Sequence, residues 1–181
     1  MPGWVSVFLW IAAGLFLLKM SYAFSVALAL PFTQGALYVS SSRRRVAAFV
    51  DAVSMKPHQV FVDLGCGDGR VLRRVRRLYG VRAIGYELNL MAYAKARLMS
   101  IGSGVEIRWR NFWKVDLSRA DVVFCYLYPD VLAPLGEKLL RELKPGTRVA
   151  CCNFALPRWK PERVLRPGGG RHSDPIYLYR V

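Results

Sequence analysis

The chain has 181 residues, enough for one domain with a sizeable hydrophobic core. Its 27 Lys and Arg residues outnumber 12 Asp and Glu residues, and the net charge of +15 favours anionic partners such as nucleic acid, acidic lipid or acidic protein. The four cysteines form no Cys-x-x-Cys pair and there are only two histidines, which argues against a metal site and favours a reducing compartment.

The first 39 residues differ in composition from the rest and are predicted to be a membrane anchor with a juxtamembrane segment. Between Trp4 and Phe32 the only charged residue is Lys19. A membrane-spanning helix needs about 20 mostly apolar residues, and the stem of Lys19 lets its ammonium group reach the interface. Three arginines at 43–45 follow. By the positive-inside rule we expect a single-pass anchor with the remaining chain in the cytoplasm.

Two other interpretations of this segment stay open. Ala27-Leu28-Ala29 resembles the small-residue site of a cleaved signal peptide, although no Lys or Arg precedes the apolar run. The segment also has the composition of a buried core helix, although such helices are usually shorter.

From residue 40 to residue 181 the sequence alternates between helical and strand-like patterns, which predicts one further domain. Serines at 40–42 offer N-cap oxygens to a first helix, and glycines at 80 and 102 are expected to end two later helices. Helices are predicted over 70–80, 89–102 and 130–143, strands over 59–65, 82–88, 105–110, 120–128 and 147–156, and a closing hairpin from 162–165 and 175–181. This alternation predicts a Rossmann-like, doubly wound α/β fold with a mostly parallel sheet covered on both faces.

The first strand-to-helix turn contains three glycines, in the sequence Gly65-Cys66-Gly67-Asp68-Gly69. Glycine allows a positive φ and lets a ligand approach the backbone closely. The third glycine comes one residue too early for the G-x-G-x-x-G pattern of dinucleotide folds, and no G-K-[ST] follows. A nicotinamide site and a phosphate-binding P-loop are therefore both disfavoured.

Residues at the ends of neighbouring strands indicate an adenosine-type ligand. Glu87 ends the second strand, where a carboxylate can accept hydrogen bonds from both ribose hydroxyls. Asn111 and Phe112 follow the third strand, where an amide side chain and a backbone N–H can read an adenine edge. Asp63, beside the glycine turn, can face a cationic amine.

The stretches VDLGCGDG, GYELN and NFW, in this order and spacing, resemble a class I S-adenosylmethionine-dependent methyltransferase over about 140 residues, the span of one compact domain. In that family the first motif holds the methionine part and the nucleoside of the cofactor, and the acid after the second strand holds the ribose. The resemblance implies S-adenosyl-L-methionine as the cofactor, held by Asp63, Gly65, Gly67, Gly69 and Glu87. Cys66 within the turn, and Asn111 and Phe112 after the third strand, complete the predicted cofactor site.

A narrower resemblance rests on the hydrophobic segment followed by YVSSS, DLGCGDGR, GYELN, NFWK, YLYPD and CCNFALPRW. This order is similar to the lysine methyltransferases of the ATP synthase c-subunit and adenine nucleotide translocase family. Those enzymes are membrane-anchored and modify lysines of membrane proteins. The resemblance therefore implies a membrane enzyme whose partner is a protein with a lysine in or at the membrane.

Three residues at the end of the fourth strand and just past it are candidates for catalysis on an amine. Asp130 is placed to orient or deprotonate it, and Tyr126 and Tyr128 are placed to line its approach, because aromatic faces attract ammonium groups. Asp130 is equally suited to be the N-cap of the following helix, and the tyrosines are equally suited to packing.

Other acceptors and partners stay open. The basic charge suits nucleic acid, although YLYPD lacks the N-P-P-Y pattern of adenine-N6 enzymes. A lipid or small lipophilic acceptor fits the anchor equally well, and a non-catalytic membrane module is the least favoured alternative. The five arginines in the helix over 70–80 form either a solvated face or a site for an anionic membrane surface.

Overall fold

The computed structural model describes residues 2–33, 42–168 and 175–181. Its helices and strands follow in the order α1 (Gly3–Thr33), α2 (Arg43–Ala52), β1 (Val60–Leu64), α3 (Arg70–Tyr79), β2 (Arg82–Glu87), α4 (Leu90–Met99), β3 (Glu106–Trp109), β4 (Val122–Cys125), α5 (Leu132–Glu142), β5 (Arg148–Cys152), β6 (Arg163–Leu165) and β7 (Ile176–Arg180). Short 3₁₀ turns lie at Phe112–Lys114 and Pro129–Val131.

The α1 helix continues through Pro31 to Thr33, so the apolar stretches before and after Lys19 form one helix. Within it, Gly3–Phe24 has a mean hydropathy of 1.8 and is long and apolar enough to cross a membrane. None of this span is buried against the rest of the described chain, so the alternative of a buried core helix is wrong for this chain. The predicted juxtamembrane residues 34–39, and residues 40 and 41 of the following domain, lie outside the described residues.

The seven strands form one sheet in the order β3-β2-β1-β4-β5-β7-β6. The five strands from β1 to β5 run parallel to one another, whereas β7 is antiparallel to both β5 and β6. The predicted doubly wound, mostly parallel sheet is confirmed. The chain runs from β1 outward to β2 and β3 and then crosses to β4, so the direction of winding reverses beside β1. In such sheets the ligand crevice lies at the carboxyl ends of the strands beside this reversal.

Each face of the sheet has its own hydrophobic core. Helices α2, α3 and α4 contribute to the core on one face, where fully buried Phe49 contacts the rings of Phe61 and Phe124. Helix α5 covers the other face with Leu135 and Leu139. Burying a side chain of this size stabilises the fold by about 1.5–3 kcal/mol. The four cysteines are all buried and free, as small hydrophobic residues of these cores.

Gly85, in the middle of β2, lets α3 pack directly on the sheet. A Cβ at this position would lie 2.6 Å from the Sγ of Cys66 and would also collide with Leu72. The close approach fixes the start of α3, and therefore the glycine turn before it, against β2.

Several predicted boundaries are wrong. Helix α4 ends at a Ser100 cap rather than at Gly102, and β5 stops at Cys152 rather than at the predicted residue 156. Strand β4 stops at Cys125, three residues before its predicted end, because its neighbour β1 stops at Leu64 and turns into the glycine segment. The ladder therefore has no partner on that side beyond Cys125.

Candidate active site

The glycine turn joins β1 to α3 at the carboxyl edge of the sheet. Gly65, Gly67 and Gly69 have φ values of 77°, 55° and 74°, a region that residues with a Cβ rarely adopt. The N–H groups of Gly65 and Cys66 donate to the carbonyl of Tyr86 at 2.9 and 3.0 Å. These bonds fix the turn to the end of β2.

Glu87 bridges the glycine turn and the turn after β2. Its Oε2 accepts a hydrogen bond from the N–H of Gly67 at 2.9 Å, and its Oε1 accepts from the N–H groups of Leu88 and Asn89, each at 2.8 Å. The side chain of Asn89 in turn caps α4 through the N–H of Ala92. The predicted ribose-binding acid is therefore also a structural link between two loops of the site.

Three carboxylates crowd around this turn in an otherwise basic chain. Burial raises the pKa of Asp63 well above its usual range, and the neighbouring charges of Glu87 and Asp68 raise it further. Burial also raises the pKa of Glu87, although its three backbone N–H donors oppose this. For Asp68 burial acts in the same direction, but hydrogen bonds from Arg70 outweigh it and lower the pKa. A bound cation would relieve the repulsion among these groups.

The segment after β3 places Asn111 and Phe112 at the same edge of the sheet. The Oδ1 of Asn111 accepts a hydrogen bond from the N–H of Trp113 at 3.0 Å and so caps the short 3₁₀ turn. The rings of Phe112 and Trp113 lie 4.9 Å apart. The indole N–H of Trp113 is buried and has no acceptor among the described residues, which leaves a hydrogen-bond donor at this end of the site.

The predicted catalytic residues all lie beyond β4, as predicted for Asp130, whereas Tyr126 and Tyr128 were predicted within the strand. Tyr126 and Tyr128 are half-buried, and Asp130 is exposed within the 3₁₀ turn before α5. The N-cap of α5 is Val131 and no side chain caps it, so the alternative role of Asp130 as N-cap is wrong.

Arg45 and Asn153 adjoin Tyr126, and the sequence reasoning missed both. The guanidinium carbon of Arg45 lies 4.5 Å from the ring centroid of Tyr126, and the Nδ2 of Asn153 donates to the Tyr126 hydroxyl at 3.0 Å. Arg45 also donates to Oδ1 of Asn153 at 3.2 Å. Asn153 has a φ of 68°, which is uncommon for a residue other than glycine and typical of functional sites.

The signals for these two residues were weak. Arg45 belongs to a run of three arginines, a pattern that indicates membrane topology, yet its side chain is 2% exposed. Asn153 lies in the stretch CCNFALPRW, directly after β5, where a polar residue ends an apolar run. A search for polar residues after each strand would have selected it. Among the described residues, no three His, Cys, Asp and Glu side chains are placed to hold a metal ion.

Comparisons with known proteins agree with this geometry. The family model for the ANTKMT methyltransferase domain matches residues 63–163, which is more than half of the chain. A protein-lysine N-methyltransferase of Saccharolobus islandicus is 33% identical over 80% of this chain and 92% of its own length. The adenine nucleotide translocase lysine N-methyltransferase of the mouse is 36% identical over 80% of this chain, a match that covers 62% of that relative.

Solved structures give the same fold. A crystal structure described as an RNA methyltransferase from Salinibacter ruber, in complex with S-adenosyl-L-homocysteine, has a TM-score of 0.72 and 31% identity, covering 79% of this chain and 94% of its own. An S-adenosylmethionine-dependent methyltransferase from Geobacter sulfurreducens, 22% identical with a TM-score of 0.56 over 66% of this chain and 52% of its own, shares the fold. The chain is therefore an S-adenosylmethionine-dependent methyltransferase with the class I fold, and it belongs to the ANTKMT methyltransferase-domain family of protein-lysine methyltransferases.

Proposed function

We propose that this chain is a membrane-anchored protein-lysine N-methyltransferase that transfers methyl groups to a lysine of a membrane protein. The observation that carries the proposal is the 2.9 Å contact between the carboxylate of Glu87 and the N–H of Gly67, where β1 and β2 end side by side. This hydrogen bond places a carboxylate suited to a ribose beside the glycine turn, whose bare backbone is suited to the rest of the cofactor.

The residues of the glycine turn fit S-adenosylmethionine. A Cβ at Gly65 would meet only the side chain of Leu127, at 3.4 Å, so the backbone there is open to a ligand. Gly65, Cys66, Gly67 and Gly69 would hold the cofactor through this backbone. Asp63, a buried carboxyl whose pKa is raised by burial and by its neighbours, would face the cationic methionine part.

Glu87, Asn111 and Phe112 would hold the nucleoside. Glu87 uses three backbone N–H groups and retains acceptor capacity for ribose hydroxyls, because a carboxylate offers about four lone-pair sites. Phe112 would place its backbone and ring beside the adenine. When bound, the cofactor supplies a methyl group already activated by a sulfonium.

The remaining work of the protein is to position a neutral amine. Holding the amine in line with the methyl group can supply roughly 7–11 kcal/mol of the rate enhancement. Tyr128 and Asp130 would line the approach of the acceptor lysine. Asp130 would accept or direct the proton that the lysine ammonium group loses. Tyr126, held by Arg45 and Asn153, would form the wall of this approach.

The location of the enzyme follows from α1. Gly3–Phe24 is long and apolar enough to span a bilayer. With the three arginines at 43–45 on the cytoplasmic side, α1 would anchor the catalytic domain beside membrane proteins that carry the acceptor lysine. The relatives include enzymes named for the ATP synthase c subunit and the adenine nucleotide translocase, which supports a membrane protein as substrate.

Incubating the full chain with cell membranes and S-adenosylmethionine carrying a tritiated methyl group tests the proposal. We expect label in protein, released as methyl-lysine on acid hydrolysis, and loss of this label in Glu87→Ala. The control Glu106→Gln changes a carboxylate on β3 that pairs with Arg82 and Arg108 away from the glycine turn, and it should keep activity. Label recovered only in extracted lipid would refute a protein acceptor.

RNA is a second candidate acceptor. The Salinibacter ruber structure, described as an RNA methyltransferase, is 31% identical to this chain, and the chain carries a net charge of +15. The same experiment with added RNA separates the two, because label in RNA and none in protein would favour this candidate.

A further inference from the structure

Five arginines of α3 line one groove on the surface of the domain, at positions 70, 73, 74, 76 and 77. The groove continues along α2 at Val46 and along the turn after α4 at Gly102 and Ser103. None of these arginines belongs to the glycine turn or to the loop beyond β4. Arg70 and Arg73 adjoin the glycine turn through Asp68, whereas the other three arginines lie further along α3, away from that turn.

The charge of this groove is only partly used within the chain. Arg73 donates to the carbonyl of Asp68 and to the hydroxyl of Ser100, and Arg76 donates to the carbonyls of Gly80 and Val81. Hydrogen bonds to these neutral acceptors leave the positive charges unneutralised.

Arg74 and Arg77 form no ion pair or hydrogen bond with any described residue. Arg77 is exposed and Arg74 is half-buried, and both line the groove, where an anion from solvent can reach their positive charges.

An exposed apolar strip adjoins the arginines. Leu98, Met99 and Ile101 are 70%, 48% and 78% exposed. They flank Ser100, whose hydroxyl accepts the hydrogen bond from Arg73 at 3.2 Å. The turn continues to Gly104, where a Cβ would lie 3.3 Å from the Nε of Arg76. The basic and apolar side chains therefore form one continuous surface.

We propose that this basic–apolar face, formed by Arg73, Arg74, Arg76, Arg77, Leu98, Met99 and Ile101, docks on the anionic leaflet of the membrane that α1 spans. The inference rests on the membrane anchor in the proposed function and adds an orientation of the domain. An anionic bilayer matches both halves of the face, because lipid phosphates pair with arginines while apolar side chains enter the acyl boundary. Helix α1 contacts α4, the helix that carries Leu98 and Met99.

Nucleic acid matches this face less well. Its phosphates would pair with Arg74 and Arg77, but the aliphatic side chains of Leu98 and Ile101 would gain no comparable burial along a phosphate backbone. These side chains distinguish a lipid surface from a polyanion.

The docking can be measured in the full chain in phospholipid nanodiscs. Ile101→Cys is labelled with the environment-sensitive fluorophore NBD, and Leu140→Cys, at an exposed site on α5, is the matched control position. The native cysteines are all buried, so the new thiol reacts selectively. With phosphatidylglycerol present we expect the label at 101 to shift to the blue and to be quenched by doxyl lipids. The label at 140 should show neither change, and neither label should respond in pure phosphatidylcholine.

A charge variant tests the role of the arginines. Each arginine near an anionic surface strengthens association by about fivefold, so Arg74→Gln with Arg77→Gln should weaken docking by about 25-fold. Arg141→Gln with Arg163→Gln, which removes the same charge from α5 and β6, should leave docking unchanged. Salt should also weaken docking, because it screens exposed charges.

Several results would overturn the inference. Labels at 101 and 140 that behave alike in anionic nanodiscs would show that no face is selected, and a blue shift on adding RNA instead of phosphatidylglycerol would assign the face to nucleic acid. Hydrogen exchange of the unsubstituted chain tests the docking without a label. Residues 98–104 should be protected when phosphatidylglycerol is present and not in its absence, and equal exchange in both lipids would count against docking. A chain that fails to enter nanodiscs would refute the proposed anchor and this inference together, whereas an inserted but undocked chain would refute this inference alone.

Discussion

Replacing Glu87 by glutamine removes one negative charge from the site and keeps the shape of the side chain. The carboxylate is 8% exposed and accepts three backbone N–H groups on its two oxygens. A glutamine has one acceptor oxygen and one amide nitrogen, so either Gly67 or the pair Leu88 and Asn89 faces a donor. Each buried N–H without an acceptor costs about 1–3 kcal/mol of the free energy of unfolding.

Two opposing effects set the size of this loss. Burial raises the pKa of Glu87, which means that the fold already bears a desolvation cost for its charge. The neutral glutamine removes that cost. We therefore expect a loss of about 1–3 kcal/mol at neutral pH, measured by urea titration, and a chain that still folds.

Glu87→Gln should weaken cofactor binding by more than the loss of stability accounts for. Two ribose hydroxyls bonded to a carboxylate contribute about 1.5–3 kcal/mol each, so Glu87→Gln should raise the Kd for S-adenosylmethionine by about 100-fold or more. Isothermal titration calorimetry measures this directly. Glu106→Gln, which removes a carboxylate from surface ion pairs, should change the Kd little and the stability by less than about 1 kcal/mol. A Glu87→Gln protein with lowered stability but an unchanged Kd would refute the ribose role and leave Glu87 as a link between loops.

Three further substitutions test the packing, the electrostatics and the acceptor side of the site. Gly85→Ala places a methyl group 2.6 Å from the Sγ of Cys66 and also against Leu72, so urea titration should show a loss of about 1–3 kcal/mol, and unchanged stability would contradict this contact. Because burial and neighbouring carboxylates raise the pKa of Asp63, protonation should weaken cofactor binding at a higher pH than an ordinary aspartate titrates. Calorimetry across pH should show this fall in wild type and a flatter profile in Asp63→Asn; matching profiles would exclude Asp63. Asn153→Ala should lose about 1–2 kcal/mol of stability from its positive φ, whereas Asn153→Gly tolerates that φ. Both variants should lower kcat/KM, and wild-type kinetics in both would make the residue purely structural.

The cofactor side of the site was largely predictable because its signals are local in sequence. Positive φ values require glycine at three positions within five residues, and the buried strands on either side appear as short apolar runs. The carboxyl ends of parallel strands meet at one edge, so the sequence alone predicts Glu87 and Asn111 there. The backbone bonds made by Glu87 were not foreseen, because they depend on the shape of two loops that only the folded sheet brings together.

The acceptor side was not predictable in the same way. Arg45 and Asn153 are separated by 108 residues, yet they share a hydrogen bond, and both contact Tyr126. Burial of Arg45 depends on α2 packing across the ends of β4 and β5, which no local pattern encodes. The apolar run over 120–128 also predicted too long a strand, since the end of a ladder is set by the neighbouring strand.

The distribution of charge explains more of the chemistry than the net charge does. A chain of net charge +15 would repel a cationic cofactor if its charges were evenly spread. Instead, Asp63, Asp68 and Glu87 surround the glycine turn, where burial raises the pKa of Asp63 and of Glu87, and neighbouring carboxylates raise that of Asp63 further. A sulfonium relieves the cost of burying these charges, whereas the thioether left after methyl transfer carries no charge at sulfur. In the proposed binding mode we therefore expect these carboxylates to favour the methyl donor over the spent product, and competition calorimetry with S-adenosylmethionine and S-adenosylhomocysteine would measure the difference.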